Sequence, residues 1–386
     1  MKTKVLGFDR AAYNQGKNAK FNFTILDNEQ PTLTAKGPGG GGIPHTVGTL
    51  HARDYKGVGN QYVDERKIIV SEEYIVRRLT PLECERLQGF PDGWTDIGDW
   101  VDSKGKTHKG DSDSPRYKAL GNSIATGPNS FWKFLLKRII AQYDYDPTMA
   151  SLFDGIGGFP LLWEQLSGVG KTLWASEIEE FPIAVTKKHF PYMQHYGDIT
   201  KISGSNVPVV DCIIGGSPCQ DLSVAGKRAG LDGERSGLFM EQIRIIKEMR
   251  TNDMARGRTG EFIRPRYGVW ENVPGAFSSN GGEDFRAVIE EFCKVTGDIT
   301  IPKPNKWTRN GAVVGNGFSL AWTVHDAKDW CVPQRRQRIS LVADFGGVTA
   351  PEILFERKSV SGHPEQSGAE RENSAGDSGN GIEEYH

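Results

Sequence analysis

An open α/β sheet, doubly wound and mostly parallel, is the fold class the sequence predicts, and three observations predict it. Between residues 150 and 343, short apolar runs alternate with longer segments whose apolar residues recur at helical spacing. Several of those runs end directly in glycine-containing turns. The residues of unusual chemistry follow the runs, at the carboxyl ends of the expected strands, where sheets of this kind bind ligands.

The first 76 residues read as short β-like runs around a glycine-rich loop at 36–44. They hold a weak internal echo, Thr32-Leu-Thr-Ala-Lys36 and Thr49-Leu-His-Ala-Arg53, which is too short a series for a solenoid. Segment 150–153 is the first strand of the sheet, followed by a glycine turn and a helix over 159–166. A strand over 171–176 and a helix over 181–190 come next, then a buried-type strand over 207–214 and a helix over 238–249. Segment 267–270 is a strand, 284–295 a helix, and 318–324 and 339–343 are late strands. From about residue 359 the chain is rich in Ser, Gly and Glu with almost no aliphatics, a composition that cannot bury enough surface to order itself. The division expected is 1–76, 77–142, a catalytic unit over 143–345 and a disordered tail over 346–386.

The chain has 386 residues, room for two or three packed units. Its 37% apolar content and mean hydropathy of -0.48 suit a soluble globular protein. No apolar run approaches the roughly 18–20 residues that span a bilayer, and the first nine residues lack a signal-peptide core, so no membrane partner is expected. The five cysteines (84, 212, 219, 293 and 331) are odd in number and form no CxxC pair, which argues against a disulfide framework and a metal site. Net charge is -2, yet residues 351–386 hold eight acids against three Lys and Arg, leaving the body mildly basic.

Four clusters carry chemistry. Phe153-Asp-Gly-Ile-Gly-Gly158 is a strand-to-helix turn whose glycines let a ligand approach the backbone, although any tight turn uses glycine. The next strand ends at Glu177, placed to bind ribose hydroxyls, and Asp198-Ile199 follows the next helix. The G-x-G-G spacing disfavours a dinucleotide. Gly215-Gly-Ser-Pro-Cys-Gln220 puts Cys219 in a strand-end loop, a poor core environment and a good one for a thiolate. The polar loop beyond it, with Lys227 and Arg228, suits phosphates or plain solvation. Trp270-Glu-Asn-Val273 ends a strand with a carboxylate able to share a proton with a ring nitrogen, or to serve as a cap or ion-pair partner. In Pro333-Gln-Arg-Arg-Gln-Arg-Ile339, alternation puts Arg336 and Arg338 on one side, facing anions unless the run is simply solvated.

Together these motifs resemble the cytosine-C5 DNA methyltransferase family, most closely its bacteriophage-type enzymes. Two further segments carry the likeness, Arg78-Leu-Thr-Pro-Leu-Glu-Cys-Glu-Arg-Leu-Gln-Gly-Phe-Pro91 and Tyr117-Lys-Ala-Leu-Gly-Asn-Ser-Ile-Ala125. In that family these two come last; here they come first, so the resemblance implies a circularly permuted order. It also implies a Rossmann-like fold that binds S-adenosyl-L-methionine, with Phe153, Gly155, Gly157, Gly158, Glu177, Ile178, Asp198, Ile199, Leu238, Asn122 and Ser123 in the cofactor pocket. By the same resemblance Cys219 attacks C6 of a flipped cytosine, Glu271 holds N3 and the amino group, and Arg338 with Arg336 holds O2 and nearby phosphates. Double-stranded DNA is then the partner, with Ser223, Gln220, Lys227 and Arg228 near the backbone and Lys36 and Arg53 in the recognition region 1–76. A monomer in the cytoplasm of a bacterial host, with or without a cognate restriction endonuclease, completes the expectation. A tRNA cytosine-C5 methyltransferase and a catalytically silent DNA-binding protein of the same fold are the alternatives. A nicotinamide oxidoreductase is disfavoured by Gly157-Gly158 and by Cys219 in Pro-Cys-Gln, and thymidylate-synthase-like chemistry gives no reason for the glycine turn or the arginine run.

Overall fold

The computed structural model describes residues 5–8, 23–26, 68–70, 76–218, 237–297 and 300–355. Ahead of the main sheet, β1 (Val5–Phe8) pairs with β2 (Phe23–Leu26), and β3 (Ile68–Val70) with β4 (Val76–Arg78), both antiparallel. There follow α1 (Pro81–Gln88), the hairpin β5 (Trp100–Val101) and β6 (Thr107–His108), α2 (Asp113–Asn122) and α3 (Phe131–Ile140). The alternating part runs β7 (Met149–Leu152), α4 (Gly158–Ser167), β8 (Thr172–Ser176), α5 (Glu180–His189), β9 (Gln194–His195) and β10 (Cys212–Gly215). It continues with α6 (Leu238–Ala255), β11 (Tyr267–Asn272), α7 (Glu283–Cys293), β12 (Asn310–Gly315), β13 (Phe318–Asp326), β14 (Gln337–Asp344) and α8 (Ala350–Leu354).

Eight strands form one sheet in the order β12-β13-β14-β11-β10-β7-β8-β9. The five from β9 to β11 are parallel, and β14 enters antiparallel between β11 and β13. Strands apolar along their whole length need cover on two faces. In β10, Ile213 packs with Ile243, Ile246 and Met249 of α6 and Phe285 and Phe292 of α7, whereas Cys212 and Ile214 face Leu135, Leu136 and Ile139 of α3 and Leu162 and Trp163 of α4. A third cluster docks the 79–122 unit: Leu79, Phe90, Trp94, Tyr117 and Leu120 pack on Ile156, Leu161, Val185 and Phe190.

Local chemistry sets the element ends. Thr80 and Glu83 form a reciprocal capping box at the start of α1, and Gly89 closes that helix at φ 82°. The strand expected from residue 207 begins only at Cys212. Pro208 has no N–H for a ladder, and the Asp211 carboxylate is occupied by the Thr148 N–H at 2.8 Å and the Arg264 guanidinium at 2.6 Å. β12, an edge strand of alternating exposure, was not among the expected elements. The expected disordered tail from residue 346 is corrected for its first ten residues. Ala350, Ile353 and Leu354 of α8 are buried against the sheet, and Arg138 Nε donates to the Ile353 carbonyl at 2.8 Å. Among the described residues no helix is long and apolar enough to cross a membrane.

Candidate active site

The strand order reverses between β7 and β10, so their carboxyl-end loops, 153–158 and 215–218, flank the crevice where doubly wound sheets bind ligands. The turn after β7 is built from left-handed backbone. Phe153 has φ 56°, Gly155 57° and Gly157 76°. A Cβ on Gly155 would meet nothing within 4 Å, so this part of the turn is an open cradle, whereas one on Gly157 would sit 2.8 Å from Phe190 and one on Gly158 2.7 Å from Ile124. Gly157 is the N-cap of α4 and gives that helix start no side-chain hydrogen bond.

Beside the turn, Glu177 is held by three backbone N–H groups: Gly155 at 2.8 Å, Ile178 at 2.7 Å and Glu179 at 2.9 Å. Ile178 next to it is an apolar side chain 68% exposed. Asp198 caps the short turn Ile199–Lys201 through Thr200, and those bonds hold its carboxyl below the usual range. Asn122 is exposed at the end of α2, and the buried Ser123 hydroxyl lies close to Gly158. Ile199 is buried in the main core, and Leu238 packs partly buried against the same core.

Across the crevice, Glu271 accepts from Arg338 Nε at 2.6 Å, both side chains being about one-sixth exposed. Antiparallel pairing brings them together, since Glu271 stands opposite Ser340, two residues from Arg338. The backbone of Gly216 approaches so closely that a Cβ there would lie 2.8 Å from Glu271 Oε2. Ser217 is buried and held twice: its hydroxyl accepts from Trp270 Nε1 at 3.0 Å and its carbonyl from Asn272 Nδ2 at 3.0 Å. The peptide two residues before Cys219 is thus pinned beside the Glu271 carboxylate. Cys219 itself, with Gln220, Ser223, Lys227, Arg228, Lys36 and Arg53, lies outside the described residues.

Arg336 departs from the expectation that it joins Arg338 on a ligand. Its guanidinium is buried and donates to the carbonyls of Gly121, at 3.3 Å, and Ser123, while its N–H is held by Asp326 at 2.8 Å. It ties the loop after α2 to the strand that carries Arg338. On β13, in register with Arg338, His325 stacks on Phe131 at 3.8 Å, and burial pushes its pKa down to about 3, with Arg338 and Arg336 adding to the effect. It stays neutral and adds no charge beside the arginines.

Three contributors escaped the sequence reading. Asp154 is a buried carboxyl inside the glycine turn, quoted in the motif but given no role. Gln242 is fully buried behind β10 and β11, donating to the Val269 carbonyl at 3.0 Å, and Trp94 donates to the Ile156 carbonyl at 2.8 Å. Only the position of Asp154 next to Gly155 signalled anything; the other two depend on long-range packing. A cleft of about 450 Å³ lined by Tyr145, Asp211 and Arg264 lies at the opposite, amino end of β10, away from these loops.

The sheet order with its inserted antiparallel strand, and a carboxylate and an open glycine turn at the switch point, are those of a doubly wound, Rossmann-like fold. Residues 148–301 match the family C-5 cytosine-specific DNA methylase. Among relatives, it is 31% identical over 235 residues to "DNA N-6-adenine-methyltransferase" of Escherichia phage P1, covering 54% of this chain and 30% of that protein. It is 31% identical to the type II methyltransferase M1.ScrFI of Lactococcus lactis subsp. cremoris, covering 56% of this chain and 43% of the other. To the orphan methyltransferase M.Rho11sI of Bacillus phage rho11s it is 29% identical, covering 50% and 32%. The chain thus spans less than half the length of each of these relatives.

Proposed function

We propose that this chain is a DNA (cytosine-5)-methyltransferase using S-adenosyl-L-methionine. The observation that carries the reading is the Glu271–Arg338 pair at 2.6 Å, set against the Gly216-Ser217 peptide that leads into Cys219. A hydrogen-bonded carboxylate beside a guanidinium matches the N3, amino and O2 edge of cytosine, and a thiolate placed next to them can reach C6. Cytosine C5 is a poor nucleophile by itself. Cys219 adds to C6, forming an S–C bond and moving electron density to C5, while Glu271 holds the proton at N3 and Arg338 steadies O2. Loss of the C5 proton later reforms the ring double bond and expels the Cys219 thiolate. The residues around the turn fit the nucleoside cofactor: an open cradle at Gly155, the oriented Glu177 carboxylate for ribose hydroxyls and the exposed Ile178 for an adenine face. Phe153, Gly157, Gly158, Asp198, Asn122 and Ser123 complete the set that would hold it. When bound there, S-adenosyl-L-methionine supplies an electrophilic methyl group.

The target base must leave the duplex to reach these groups. Gln220, Ser223, Lys227 and Arg228 would contact the strand, and region 1–76, with Lys36 and Arg53, would read the sequence. The motif order is then that of a circular permutation, supported by α3 packing on α4 beside β7. The name of the phage P1 relative favours a second reading, methylation of adenine N6. An exocyclic amine needs no cysteine adduct, so the Glu271, Arg338 and Pro218-Cys219 constellation supports the cytosine reading over it. Incubating the full chain with duplex DNA and S-adenosyl-L-methionine and digesting to nucleosides should yield 5-methylcytosine. Cys219→Ser should abolish it, and an oligonucleotide containing 5-fluorocytosine should trap a covalent adduct at Cys219. N6-methyladenine as the product, or undiminished transfer by the serine variant, would overturn this reading.

A further inference from the structure

Asp154 has no task in the reaction just described. It stands in the glycine turn between Phe153 and Gly155 and is 6% exposed. One carboxyl oxygen accepts from the Ser151 hydroxyl at 2.5 Å; the other is buried with no hydrogen-bond partner. No lysine, arginine or histidine among the described residues pairs with it. Glu177, at the end of β8, is the other ionisable group whose field reaches it, and it too is acidic. The elements packed on the rest of the turn are uncharged at the contact: Ser123 and Ile124 against Gly158, Thr186 and Phe190 of α5 against Gly157, and the Trp94 indole on the Ile156 carbonyl.

A carboxyl stripped of water, with one hydroxyl to serve two oxygens, keeps a proton until a cation faces it. We infer that Asp154 makes the nucleoside site proton-coupled and selective for a cationic ligand, holding a proton in the ligand-free protein and releasing it to solvent when positive charge binds at the glycine turn. The inference rests on the reading of this turn as the S-adenosyl-L-methionine site. That ligand carries a sulfonium cation, and its demethylated product is a neutral thioether. Binding the donor would expel the proton, and loss of the methyl group would let Asp154 take one back, weakening the hold on the product. Burial pushes this carboxyl up to about 8, the Ser151 bond opposing and Glu177 adding to the rise. The sign follows: below about pH 8 the cation must displace a proton, so its affinity climbs with pH by up to about tenfold per unit and levels off above. Affinity for the neutral product stays flat.

Isothermal titration calorimetry of the full chain at pH 7, in phosphate and in Tris, counts the protons released by S-adenosyl-L-methionine and by S-adenosyl-L-homocysteine. Their amino groups are shared, so the difference reports the sulfonium. Close to one extra proton is expected for the methylated ligand, with the affinity ratio rising severalfold to tenfold per pH unit between pH 6 and 8. Asp154→Asn should remove the extra proton and flatten the ratio. Ser151→Ala keeps the carboxyl but deletes its one donor, and should move the levelling point to higher pH. This second variant decides the matter if the asparagine variant does not fold. Equal proton counts for the two ligands, or an unmoved levelling point in Ser151→Ala, would overturn the inference while leaving the cofactor reading intact. Failure of both ligands to bind would overturn both.

Discussion

Two arginines two residues apart in one motif have different fates, and the difference is testable residue by residue. Arg338 ends in a partly exposed pair with Glu271, so Arg338→Ala should cut methyl transfer by about 10²–10³-fold, the usual loss for one oriented charge-stabilising donor. Its urea midpoint should barely move. Arg336 is buried on the carbonyls of Gly121 and Ser123, and Arg336→Met would orphan both, costing about 1–3 kcal/mol in urea unfolding. A methionine variant as stable as the parent but without transfer would return Arg336 to the base. The motif was visible in the sequence, and so was the need of its cations for partners. Which partner each takes was not, because the carbonyls that hold Arg336 lie more than two hundred positions earlier in the chain.

At the level of elements, the glycine turn after β7 joins local conformation to function. Gly155 and Gly157 both have positive φ, so either alanine strains the backbone by about 1 kcal/mol. Gly155→Ala points its methyl into open space, whereas Gly157→Ala drives one to 2.8 Å from Phe190 and 3.0 Å from Thr186. Overpacking adds about 1–3 kcal/mol to the second variant. Urea titration should therefore rank the parent above Gly155→Ala and that above Gly157→Ala, while both alanines weaken S-adenosyl-L-homocysteine binding in calorimetry. A reversed stability order would show that α5 yields at Phe190. The turn, the strand before it and the helix after it were all legible, since glycine spacing and apolar periodicity are local signals. β12 was not: its alternating exposure, with Gly311 and Gly315, belongs to an edge strand whose partner β13 defines it.

For the whole molecule, the edge of the folded unit was misjudged by composition and corrected by packing. Ile353 and Leu354 sit in a charged, glycine-rich part of the sequence, yet both are buried under α3 and the sheet. A chain ended after Phe355 keeps both side chains and serves as the reference. One ended after Thr349 forfeits these two side chains, about 3–6 kcal/mol of burial, and should be largely unfolded or much less stable. Equal stability of the two truncations would show that α8 contributes nothing.

By itself the sequence determined the alternation of strands and helices, the glycine turn, and the residue types that the proposed C5 chemistry requires, because each is written in neighbouring positions or in a short motif. Only the tertiary structure decided that Glu271 pairs with Arg338, that Arg336 and Ile199 turn inward, and that Asp154 is left with a bare, buried oxygen. Those outcomes depend on which distant segments exclude water from one another, and no spacing along the chain encodes that.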